Sequence, residues 1–191
     1  DVNIPRNTIE SCENSGVTPV FIAARSGHVE CVRILVEARA DVNACSTYGA
    51  SPVFIAACQN KVGCLRVLIA AGADVQKCMA YGASPVFIAS QETNAECLCM
   101  LIAAGADVQK CTNDGVSPVF IAAYENKVEC LHMLIAAGAD VQKCTYDGTS
   151  PIYIATLENN VEFLRILIAA GADVQQCTDN GTSPVFVACQ D

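Results

Sequence analysis

Gly115-Val116-Ser117-Pro118-Val119-Phe120-Ile121-Ala122-Ala123 recurs in near copy along the whole chain. The other copies open Gly16-Val17-Thr18-Pro19, Gly49-Ala50-Ser51-Pro52, Gly82-Ala83-Ser84-Pro85, Gly148-Thr149-Ser150-Pro151 and Gly181-Thr182-Ser183-Pro184. Each of these glycines follows the last at an interval of 33 residues. A fixed period of this length marks stacked repeats. Each unit is then one supersecondary element that buries its apolar face only against its neighbours.

Local chemistry predicts the content of one unit, Gly115 to Asp147. Ser117 stands where an N-cap is wanted, and Pro118 follows at the first helical position, where its missing N–H costs nothing. Val119 to Ala123 then read as a short apolar helix. Glu125-Asn126-Lys127 is a polar break. A second helix carries Val128, Leu131, Leu134 and Ile135 on one stripe at helical spacing. Gly138 falls where a left-handed C-cap is expected. Ala139 to Asp147 read as an extended, turn-rich segment leading to the next glycine.

A unit of this length and order resembles the ankyrin repeat, a β-turn with two antiparallel helices. Five complete units match, from Gly16 to Asn180, and part of a sixth follows. The end of the second helix matches closely as Gly72-Ala73-Asp74-Val75 and its copies at Gly105, Gly138 and Gly171. The first unit departs with Arg39-Ala40-Asp41-Val42 and so loses the capping glycine. A second departure is systematic. The family's usual Leu-His is Val-Phe at Val20-Phe21, Val53-Phe54, Val86-Phe87, Val119-Phe120 and Val185-Phe186, and Ile-Tyr at Ile152-Tyr153. An aromatic ladder is expected to replace the histidine's hydrogen bonds with buried area.

The resemblance implies a mainly α fold, an ankyrin-repeat solenoid of stacked helix–turn–helix units joined by β-hairpin-like loops. Residues 1–15 read as an irregular N-terminal segment or a degenerate repeat. Residues 16–191 form the repeat domain, with units 16–48, 49–81, 82–114, 115–147 and 148–180 and a partial unit 181–191. The sixth unit stops after its first helix and leaves Val185, Phe186 and Val187 uncovered. Solenoids need polar terminal caps, so the chain is expected to continue in a larger protein.

Half of the residues are apolar, yet no run approaches the ~20 needed to span a membrane. Net charge is −9 and unevenly placed. Residues 1–95 hold seven Lys and Arg against eight Asp and Glu, whereas residues 96–191 hold four against twelve. That balance argues against nucleic acid, which requires a basic stripe. It favours a partner with a basic surface.

Ten of the thirteen cysteines fall into two phased rows, and Cys58, Cys99 and Cys189 stand singly. Cys12, Cys45, Cys78, Cys111, Cys144 and Cys177 form one row in the hairpin segments. Cys31, Cys64, Cys97 and Cys130 form another on the apolar side of the second helices, where Cys acts as a small buried hydrophobe. Rung-to-rung disulfides are not expected, because neighbouring units stack roughly 8–10 Å apart and a bridge needs Cα atoms within about 7 Å. Evenly spaced thiols do not converge on a metal. No metal or cofactor is implied. Free thiols in this number imply a reducing compartment, cytoplasmic or nuclear.

No motif supports catalysis. His28 sits in a turn and His132 on an exposed helical phase, and there is no phosphate loop, HExxH or GxSxG. Asp41, Asp74, Asp107, Asp140 and Asp173 read as a structural ladder tying the hairpins by local hydrogen bonds.

Phases that stacking requires barely change between units, and the others drift. The freest lie at the end of the first helix, at the hairpin tip and at the residue after each repeat glycine (Val17, Ala50, Ala83, Val116, Thr149, Thr182). In ankyrin repeats these phases resemble the concave binding surface. The residues so placed are Arg25, Tyr48, Gln59, Tyr81, Gln91, Glu92, Asp114, Tyr124, Glu125, Tyr146, Asp147, Leu157, Glu158 and Asp179. Tyr48, Tyr81, Tyr124 and Tyr146 would serve as aromatic anchors. The expected function is a non-catalytic protein-interaction module, a monomer unless its C-terminal end pairs. The alternatives are a structural spacer and, remotely, thiol-based sensing along the hairpin cysteines.

Overall fold

The computed structural model describes residues 16–92, 94–176 and 178–185. Residues 1–15, Cys177 and Phe186 onward, and the expectations placed on them, lie outside the described residues. Ten helices form five pairs: α1 (Pro19–Ser26) with α2 (Val29–Glu37), α3 (Pro52–Cys58) with α4 (Val62–Ala70), α5 (Pro85–Gln91) with α6 (Ala95–Ala103), α7 (Pro118–Tyr124) with α8 (Val128–Ala136), and α9 (Pro151–Leu157) with α10 (Val161–Ala169). No strand occurs among the described residues.

Each first helix begins as its sequence dictates. The Ser117 Oγ accepts the Phe120 N–H at 3.1 Å, with Pro118 in the first turn. Ser51, Ser84 and Ser150 cap their helices in the same way, and Thr18 does so in the first unit. The second helices end in a left-handed turn. Gly138 has φ +82°, and the Ala139 N–H reaches back to the Leu134 carbonyl at 2.9 Å. In the first unit Arg39 adopts that conformation at φ +61°, and Ala40 still bonds the Leu35 carbonyl at 3.0 Å. The motif therefore survives the loss of glycine, with the strain of a Cβ in the left-handed region. Arg39→Gly should raise stability by up to about 1 kcal/mol after glycine's greater unfolded-state entropy is set against that strain. A urea unfolding midpoint that does not rise would contradict this.

The pairs stack in order. α1 packs on α3, α3 on α5, α5 on α7 and α7 on α9, and these contacts are closer than those between successive second helices. The core runs unbroken through the stack. Phe21, Phe54, Phe87 and Phe120 are each at most 3 % exposed and form the expected ladder. Leu65, Leu68, Leu98, Leu101, Leu131 and Leu134 supply the buried stripe of the second helices.

Cys64, Cys97 and Cys130 are buried, as their phase predicts, but Cys31 is exposed. This phase packs against the preceding unit. The Cys64 thiol points at the Ala23 carbonyl and the Cys130 thiol at the Ala89 carbonyl, 3.9 and 4.0 Å away. Cys31 belongs to the first described pair, where Ile22 is likewise 42 % exposed although Ile55, Ile88 and Ile121 in its phase are buried.

The hairpin segments are tied locally and to one another. Asp107 Oδ1 accepts the Gln109 N–H at 2.8 Å, and Asp41, Asp74, Asp140 and Asp173 repeat the bond two residues on. A second ladder was not expected from the sequence. The Gln109 side chain accepts the Asp140 N–H at 3.0 Å and donates to the Gly138 carbonyl at 2.8 Å, so one amide joins two units. Gln76 does the same one unit earlier.

Candidate protein-interaction face

The helix-end and hairpin-tip phases are exposed in part, but stacking uses some of them. Cys58 and Gln91 are buried at 6 and 8 % exposure. At the end of α3 the reason is visible. Asn94 reaches back from the next unit and donates to the Ala57 and Cys58 carbonyls at 2.6 and 3.0 Å. Arg25 and Gln59 are half-buried, and Glu92 is exposed. Burial, then the neighbouring Glu125 carboxylate, pushes the Glu92 carboxyl up, and Lys127 acts the other way. The Glu125 effect brings the two glutamates of consecutive units into one acidic row, which Glu158 follows in phase.

The four tyrosines do not form one set. Tyr48 and Tyr146 are 47 and 78 % exposed. Tyr81 and Tyr124 are half-buried and pack against the core. Tyr146 leans over the backbone at Gly115. It lines a depression with Lys110, Cys111, Lys143 and Cys144, on the hairpin side. Tyr124 lines a different feature, a groove of about 380 Å³, with Asp147 from its own unit and Leu157 and Glu158 from the next. Four residues singled out by phase thus meet in one place. Asp114 and Asp179 are exposed at neighbouring hairpin tips and do not line it.

The groove also includes Thr149 and Thr182, from the variable phase after the repeat glycine, and Tyr153, which phase reasoning left out of the face. The signal for Tyr153 was present, because it alone among the described ladder aromatics is not phenylalanine. It is also half-exposed where the ladder phenylalanines are buried. The side chain of Asp147 is held by the Thr145 hydroxyl and by the Thr149 N–H at 3.4 Å. The Thr145 bond, above all, holds its carboxyl below the ordinary aspartate range, so it is ionised at neutral pH. No lysine or arginine lines the groove.

The hairpin thiols are engaged with their own backbone. Cys78, Cys111 and Cys144 donate to the carbonyl two residues back at 3.3–3.4 Å. Burial, chiefly, pushes all three thiols up. Reactive thiols require the opposite shift. The ten cysteines among the described residues are free. Among those residues no group of three His, Cys, Asp or Glu is placed to hold a metal ion, and no helix is long and apolar enough to cross a membrane.

Helix pairs repeating at a constant interval, each burying its face on the next, define a stacked-repeat solenoid. The family model described as ankyrin repeats (3 copies) matches residues 3–78, 61–146 and 120–191. The chain belongs to the ankyrin-repeat family, whose members are generally protein-interaction modules rather than catalysts. A search among curated proteins found no match.

Proposed function

We propose that this chain is a non-catalytic interaction module of a larger protein, binding a protein partner with a basic surface on its concave face. The observation that carries the reading is the meeting of Tyr124, Asp147, Leu157 and Glu158 in one groove. These residues come from phases that stacking does not fix, and two of the four are acidic. The free thiols favour a reducing compartment. The raised hairpin thiols weigh against thiol-based sensing.

The test is a pull-down from a reducing cell extract, comparing the domain with a Glu125→Lys, Glu158→Lys variant. Charge reversal suits the question better than removing Tyr81 or Tyr124, whose rings pack partly on the core. Both proteins must first unfold at matching urea concentrations. A partner retained by the parent and reduced at least about tenfold by the variant supports the concave face; like charges brought into contact cost a complex several kcal/mol. The same proteins on both, or none on either, would move the reading to a spacer whose length alone matters.

A further inference from the structure

We propose that the groove between α7, α9 and the hairpin tips that follow them is a subsite for an arginine side chain presented by an extended segment of the partner. The inference rests on the concave-face reading and gives it a local chemistry.

Three observations converge. The first is shape and lining. The groove of about 380 Å³ is lined by Tyr124, Tyr153 and Leu157 together with Asp147 and Glu158, with no cation among its lining residues. Aromatic faces attract a guanidinium, and carboxylates receive it through paired N–H donors. Lysine offers neither the planar stack nor the fork. The second is order. Asp147 is fixed by Thr145 and Thr149 from its own hairpin, so little side-chain freedom is lost when it accepts a donor. Those same bonds keep it charged.

The third is the internal comparison that a repeat protein allows. Stacking is satisfied by phenylalanine at Phe21, Phe54, Phe87 and Phe120. Tyrosine replaces it only at Tyr153 among the described units, and that ring lines the groove. The residue after the repeat glycine is Ala or Val in the first four units and becomes Thr149 and Thr182 here. Two independent phases depart from the repeat at this one place. Relaxed drift would scatter such departures along the stack.

The test uses the whole chain with ring-¹³C-labelled tyrosine, titrated with acetyl-Ala-Arg-Ala-Arg-Ala-amide. The control is the same peptide with citrulline, an uncharged isostere, in place of arginine. The expected result is a saturable shift of the Tyr124 and Tyr153 rings with the arginine peptide, none with citrulline, and none at Tyr48. Glu158→Gln, a change at an exposed side chain, should weaken the arginine peptide roughly fivefold, the measure of one partly solvated charge pair. Equal response to citrulline, equal shifts at all tyrosines, an unchanged affinity in Glu158→Gln, or no response would each overturn the arginine assignment. The concave-face reading falls separately. If the charge-reversal variant loses a captured partner while the arginine peptide gives no response, that reading stands and only the subsite is wrong.

Discussion

Phe120→Ala is expected to destabilise the domain by about 3–5 kcal/mol, the range for deleting a fully buried aromatic side chain. Phe120 is fully buried in α7, the central helix of the α5, α7 and α9 stack. Truncation opens a cavity facing two neighbours at once, and the ladder ring of the preceding unit, Phe87, is itself buried in its own packing. The consequence should be more than a lower midpoint. Solenoid stability is a sum of unit and nearest-neighbour terms, so weakening the fourth unit uncouples the three before it from the one after. Urea unfolding should shift to lower concentration and broaden or split, with a smaller apparent slope than the parent. Tyr153→Ala, at a half-exposed ring, should cost clearly less. A loss under about 1 kcal/mol for Phe120→Ala would mean that the cavity collapses and that the ladder is not the axis of the core.

Gly115→Ala is expected to cost about 2–4 kcal/mol, and Gly138→Ala only about 1. Both glycines lie in the left-handed region, at φ +81° and +82°, so an added Cβ strains the backbone equally. They differ in what the Cβ would meet. At Gly138 nothing lies within 4 Å. At Gly115 it would land 3.0 Å from the Tyr146 backbone nitrogen and 3.1 Å from its ring. That nitrogen donates to the Asp114 carbonyl at 3.5 Å, a link between consecutive hairpins. Relief of the clash must therefore push the next hairpin away and break the link. Paired urea titrations of the two variants measure the difference directly. Equal losses would show that conformation alone makes the repeat glycine necessary, and that hairpin stacking has room to adjust.

Much of this architecture was legible without coordinates. The glycine interval gave the period, and Ser-Pro gave the start of each first helix. Gly-Ala-Asp-Val gave the end of each second helix and the aspartate bonds beyond it. All of these are local: a cap, a turn or an Asx bond involves residues a few positions apart. The Gln76 and Gln109 amides were missed for the same reason. Each bonds backbone groups about 30 residues away, and nothing in the composition of the segment distinguishes a glutamine that bridges from one that is solvated.

The candidate face was legible only in part. Phase placed Tyr124, Asp147, Leu157 and Glu158 on one side, and they do meet. Phase also grouped Tyr146 with Tyr124, whereas the two line separate features, and it offered Gln91, which is buried. Repetition in the sequence fixes the direction in which a side chain leaves its helix or turn, and hence the fold. It does not fix how much space the neighbouring unit leaves there. Asn94 covers the end of α3, and Asn160 reaches back in the same way to the Ala123 carbonyl at the end of α7. Which drifting positions become surface was decided by the packing of one unit on the next, because exposure depends on side chains that are distant in sequence and adjacent only in the stack.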